Sequence, residues 1–170
     1  MERRCCQILV MMMFPVLLFG QKPSSQLNDL YHFVEAADSL SNRSNSVFYL
    51  DKFYADNTPY KETWRYTTNN GRVIYFEVEF IRDSVSYSEV YYVNRNSLVC
   101  SEEYETINDQ DNDDKLSWGA IFYYNSTQTR HYVTVGKRSN GKYYNSPEIV
   151  ARDRFRKRFG ELKMHMPMLP

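Results

Sequence analysis

The chain has 170 residues, and its 21 basic side chains are matched by 21 acidic ones, so there is no electrostatic footprint for nucleic acid. Tyrosine occurs 15 times and phenylalanine 10 times, against 6 glycines; this enrichment reads as strands, and no phosphate loop or dinucleotide fingerprint is present.

The first segment, MERRCCQILVMMMFPVLLFGQ, sets Arg3 and Arg4 before an apolar run from Ile8 to Phe19, the layout of a cleaved secretory signal. The run is shorter than the about 20 apolar residues needed to cross a bilayer, so no membrane span is expected in the mature chain. Residues 1–20 are read as the signal peptide, with Gly20 as the small residue before the cut, although Leu18 is larger than the usual pattern prefers. Cys5 and Cys6 precede the apolar run and leave with it, so neither suits a lipid anchor. Cys100 is then the single mature cysteine, which removes any internal disulfide framework and leaves stability to a core. Residues 21–163 are expected to form one domain, a length that buries enough surface to fold unaided, with 164–170 as a flexible Met-rich tail.

In LNDLYHFVEAADSL, Leu27, Leu30, Val34 and Ala37 fall at helical spacing, and Phe33 and Leu40 widen the stripe. SNRSNS breaks that pattern, and VFYLDKFY reads as a first strand. RVIYFEVEFIR follows, with Ile74, Phe76, Val78 and Phe80 alternating toward a core. A two-residue turn at Asn70-Gly71 would set Trp64 opposite Glu77. A three-residue turn over Asn69, Asn70 and Gly71 instead sets Trp64 opposite Phe76 and Tyr66 opposite Ile74, keeping aromatics on one face, and is the expectation. Turns at Asp83-Ser84 and Arg95-Asn96 then pair Phe80 with Tyr87, Phe76 with Tyr91, Val93 with Leu98, Tyr91 with Cys100 and Tyr87 with Tyr104. WGAIFYY and RHYVTVGKR make another hairpin. Ser146 as cap and Pro147 at the first position announce a closing helix, with Ala151, Phe155, Phe159 and Leu162 as its apolar stripe.

A signal ending in FGQ, followed by hairpins of the form Y-Y-x-N-x-x-x-L-V at Tyr91, Tyr92, Asn94, Leu98 and Val99, resembles uncharacterised exported proteins of bacterial envelopes with tyrosine-rich antiparallel hairpins. The resemblance implies a periplasmic or extracellular location and brings no activity with it.

Several groups could carry chemistry. Asp109, Asp111 and Asp113 in INDQDNDDKLSW match the first three ligand positions of a calcium loop, but Asp114 stands where glycine is wanted and Ala120 where the bidentate glutamate is wanted. Calcium is weighed there against a solvated connection. Counting back from the Arg95-Asn96 turn puts Glu89 opposite Glu102, on a face shared with Tyr87, Tyr91 and Tyr104. Like charges directly opposite are destabilising, so the pair needs a partner, and the closing helix offers Arg152, Arg154, Arg156 and Arg158. The alternative is an open cleft with the two carboxylates as acid and nucleophile of a hydrolase. RDRFRKRF reads as a helix with a solvated basic face. Met164, His165, Met166 and Met168 are soft atoms of the type that bind copper(I), or a frayed end. His32, His131 and His165 have no nucleophile in a recognisable context.

The expectation is an α+β domain: an N-terminal helix, an antiparallel meander of about seven strands, and a C-terminal helix packed on the sheet. A closed β-barrel with a flanking helix is the alternative, suited to carrying a small apolar ligand. For function, the reading is an exported, non-enzymatic module that binds a protein or glycan partner through sheet-surface tyrosines such as Tyr75, Tyr92 and Tyr123, with no cofactor beyond the calcium candidate.

Overall fold

The computed structural model describes residues 25–107, 115–125, 128–138 and 147–166. Helix α1 (Ser25–Ser41) leads into strands β1 (Ser46–Phe53), β2 (Pro59–Asn69), β3 (Arg72–Arg82) and β4 (Val85–Asn94). Strands β5 (Ser97–Ile107), β6 (Lys115–Asn125) and β7 (Gln128–Gly136) follow, and helix α2 (Pro147–His165) closes the fold. The strands form one antiparallel sheet of 7 in sequential order, with β1 and β7 as its edges. The sheet is open, so the α+β meander is realised and the closed barrel is not.

Tight turns of positive φ drive the meander. Asn70 and Gly71 (φ 51° and 71°), Asp83 and Ser84 (49° and 64°), and Arg95 and Asn96 (50° and 66°) each place both central residues in the left-handed region, the geometry whose twist matches that of the flanking strands. The first of these corrects the expected three-residue turn: Asn69 pairs Arg72, so the loop is the two-residue Asn70-Gly71 form. The aromatic face survives because the register shifts between Thr67 and Thr68, bypassing Ile74 and bringing Trp64 opposite Val78 and Tyr66 opposite Phe76.

A second bulge corrects the next hairpin. Val93 pairs Leu98 as expected, but the register then shifts past Val99, so Tyr92 opposes Cys100, Tyr91 opposes Ser101 and Tyr87 opposes Glu105. Because side chains alternate faces, this one-residue slip moves Cys100, Glu102 and Tyr104 to the other side of the sheet.

Each face carries its own core. On one, Trp64, Phe76, Val78, Tyr91, Val93 and Phe122 are at most 2% exposed and pack beneath α2, whose Ala151, Phe155, Phe159 and Leu162 are all buried as their spacing predicts. At about 1.5–3 kcal/mol for each large side chain fully buried, this stripe is what docks α2. Its path across the strands is marked by Arg152 over Tyr124 on β6, Phe155 beside Tyr91 on β4, Phe159 stacked on Phe76 of β3 and His165 beside Phe48 of β1. On the other face, Val34 and Ala37 of α1 cover Val90, Tyr92 and Cys100, with Tyr75 and Tyr123 packed against them.

Tyr75, Tyr92 and Tyr123, expected on the sheet surface, pack against α1 instead. Tyr92 is 3% exposed and donates its hydroxyl to Asp38 Oδ1 of α1 at 2.8 Å, while Tyr123 meets Tyr31 of α1 edge-on at 4.8 Å. The expected tail is also shortened, because α2 runs through Met164 and His165 and Met166 packs against the core. No helix among the described residues is long and apolar enough to cross a membrane.

Candidate functional site

The bulge at Val99 sets up the site. It brings Glu103, not Glu102, opposite Glu89, and turns Glu103 and Glu105 toward α2. Glu62 of β2 points the same way, and Glu62, Glu89, Glu103 and Glu105 are all at most 6% exposed. Such carboxylates require cations, and α2 supplies two from successive turns. Arg158 donates Nη1 to Glu62 at 2.7 Å and Nε to Glu89 at 2.8 Å. Arg154 Nη1 lies 2.9 Å from Glu103 and 3.5 Å from Glu89. The expected partners from the closing helix are thus present, and they cover Glu89.

Further donors complete the row. Trp64 Nε1 donates to Glu62 at 3.0 Å and the Tyr91 hydroxyl to Glu89 at 3.2 Å. Burial and the neighbouring Glu89 hold the Tyr91 hydroxyl well above its usual range. Burial works against the charges of Arg154 and Arg158, yet the carboxylates beside them more than compensate and raise both. Glu103 moves up because burial outweighs the attraction of Arg154 and Arg138. Lys52 pairs with Glu161 of α2 at the other end of the row.

Arg138 has a different origin. Gly136 adopts φ 72°, and Lys137 N donates to Ser117 O at 2.8 Å, bending the chain past the end of β7. Arg138 then lies 3.8 Å above the Trp118 ring and reaches Glu103 at 2.5 Å and Glu105 at 3.8 Å. A Cβ on residue 136 would sit 2.0 Å from Ser117 O, so glycine is required for this bend.

Beyond Arg154 and Arg138 the α2 face opens into a cleft of about 300 Å³. Four rings form one wall: Tyr54 stacks on Tyr60 at 4.1 Å, Tyr60 meets Phe80 at 5.7 Å, and Phe80 stacks on Tyr87 at 5.0 Å. Trp118 stands in the lining together with Glu89, Glu103 and Glu105. Burial, followed by the charge of Glu62, pushes the Tyr60 hydroxyl up to about 12, so it is a neutral donor at physiological pH. Arg82 lies 4.5 Å over the outer ring, Tyr54.

Of the sequence-predicted ligand residues, Glu89 and Tyr87 line this cleft and Tyr91 lies in the core beside it, while Tyr104 borders it from a strand position whose side chain belongs to the α1 side. Glu102 does not join them. It lies on the α1 side of the sheet and accepts the Tyr104 hydroxyl at 2.7 Å. Glu89 and Glu102 face opposite sides of a sheet and cannot flank one substrate, which removes the geometric basis of the carboxylate-pair hydrolase. A cavity for an apolar cargo also lacks support, since Trp64, Phe76 and Tyr91 are fully buried in contact with each other and α2. Asp109, Asp111, Asp113 and Met168 lie outside the described residues, and no metal-holding group of His, Cys, Asp or Glu occurs among the described ones. Met164 is 64% exposed, and His32 bonds only loosely to Glu35, at 3.4 Å.

Sequence reasoning missed Glu62, Glu103, Glu105, Arg138, Tyr54 and Tyr60. Two signals were available: the unbroken apolar run Leu98-Val99-Cys100, which fits either a strand covered on both faces or a bulge, and Gly136 close to a strand end.

No protein-family model matches the chain, and no curated protein or solved structure is significantly similar to it.

Proposed function

We propose that the protein is an exported binding module, without catalytic activity of its own, whose ligand occupies the cleft beside Arg154 and Arg138. The observation that carries this reading is the four-ring wall from Tyr54 to Tyr87, which borders open space in a molecule whose central rings are otherwise packed into cores. Aromatic rings with polar tips give large contact area at small entropy loss. The carboxylates beside them are locked in ion pairs, which suits fixed hydrogen-bonding geometry better than proton transfer. Export rests on Arg3, Arg4 and the apolar run from Ile8 to Phe19.

Arrays of glycans and peptides test the reading, using the wild type and Tyr87→Ala. The expected result is a retained ligand whose affinity falls about tenfold in the variant, the loss of about 1.4 kcal/mol, with its melting temperature checked in parallel. Ligands retained equally by both proteins would place recognition elsewhere and end the cleft reading.

A further inference from the structure

We infer that the cleft takes an uncharged saccharide; the inference rests on the cleft being the binding site. Charge is the first constraint. The lining contains Arg82, Arg138 and Arg154 against Glu89, Glu103 and Glu105, so formal charges match one for one. A cationic ligand would have to displace guanidiniums from positions they already hold, 4.5 Å over Tyr54 and 3.8 Å over Trp118. An anion would have to approach three carboxylates while Arg138 and Arg154 are engaged with those same groups and Arg82 with Asp83.

Shape is the second constraint. An extended peptide binds a sheet by pairing with an unpaired edge, but the edges here are β1 and β7. The cleft spans β2 to β6, whose backbones are paired on both sides, with added walls from Tyr54 and Arg138. What fits is a neutral, compact ligand that offers flat C–H faces to rings and many hydroxyls to fixed acceptors and donors. Glu103 borders the cleft with its Oε1 buried 2.9 Å from Arg154 Nη1, so its orientation is fixed before any ligand arrives.

The test is an array carrying neutral hexose and N-acetylhexosamine oligomers, uronic-acid oligomers, and peptides of both charges, followed by calorimetry of any retained oligomer. Neutral oligomers are expected to bind, with an affinity that changes less than about twofold when salt is raised to about 0.5 M, and to be lost about tenfold in Tyr87→Ala and in the turn variant Tyr54→Ala. Retention of charged ligands alone, with the same tyrosine dependence, would overturn the saccharide assignment while leaving the cleft as the site. Neutral oligomers that bind independently of both tyrosines would overturn both. Failure of every neutral oligomer to bind would overturn the saccharide assignment outright.

Discussion

Arg158 shows how much one side chain holds together. Its guanidinium joins Glu62, which is 0% exposed, to Glu89 and lies 5.5 Å over Trp64. Arg158→Met leaves both carboxylates buried without this cation, and the expected loss is about 3–5 kcal/mol by chemical denaturation. Adding Glu62→Gln and Glu89→Gln to that variant should recover part of it. Arg158→Lys should rescue poorly, because a single ammonium cannot hold two carboxylates in the planar fork geometry. Glu102 behaves in the opposite sense. Burial raises its pKa above 4.5, the Tyr104 hydroxyl opposes that rise, and Asp38 adds to it. The folded state therefore binds the proton more tightly than the unfolded chain, and stability falls as pH rises from about 4.5 through the folded value. Glu102→Gln removes that loss, about 1.4 kcal/mol for each pH unit separating the two values. Melting curves should show the variant ahead of wild type at pH 7 and level with it near pH 3.5; an equal difference at both pH values would contradict the assignment.

At the scale of elements, two glycines make opposite predictions. Gly160 lies exposed inside α2, and nothing lies within 4 Å of where its Cβ would be. Gly160→Ala should stabilise the fold by about 0.5–1 kcal/mol, visible as a melting temperature a few degrees higher. Gly136→Ala meets the Ser117 carbonyl and a positive φ together, and should cost more than about 1–2 kcal/mol while displacing Arg138 from the cleft and weakening ligand binding. Elements with one regular period were legible in sequence: the stripes of α1 and α2, the Asp83-Ser84 turn, and the Phe80–Tyr87 and Phe76–Tyr91 pairs. Register beyond a bulge was not. Alternation carries no memory of an inserted residue, so a single uncounted position at Ile74 or Val99 reassigns every side chain after it. The logic that a carboxylate opposite Glu89 demands an arginine from the closing helix was sound, and the slip changed which glutamate it was. Tyr54 and Tyr60 escaped notice because a turn and a strand start bring them together only in three dimensions.

The described residues form a sheet with a helix on each side, and these two helices are held differently. α2 is fixed by a buried stripe and a row of ion pairs. α1 rests on a smaller cluster and on the Tyr92–Asp38 hydrogen bond, so its undocking is the expected low-energy opening. Cys100 reports on it, being 0% exposed under α1 with its thiol pushed up by burial. Asp38→Ala removes one hydrogen bond of about 1 kcal/mol and should speed alkylation of Cys100 about fivefold, read on the Cys100 peptide by mass spectrometry. An unchanged rate would mean that the thiol is reached by another motion.

The order of elements has a consequence for how the chain comes to be folded. Every strand pairs with its neighbour in sequence, so hairpins can form one after another as the polypeptide lengthens, a low-contact-order route that favours speed. The helix that covers the aromatic face, however, follows all seven strands. A chain that folds from its N-terminus onward therefore exposes a platform of Trp64, Phe76, Tyr91 and Phe122 until α2 docks, and a chain cut short before Pro147 would leave a sticky sheet in need of a chaperone.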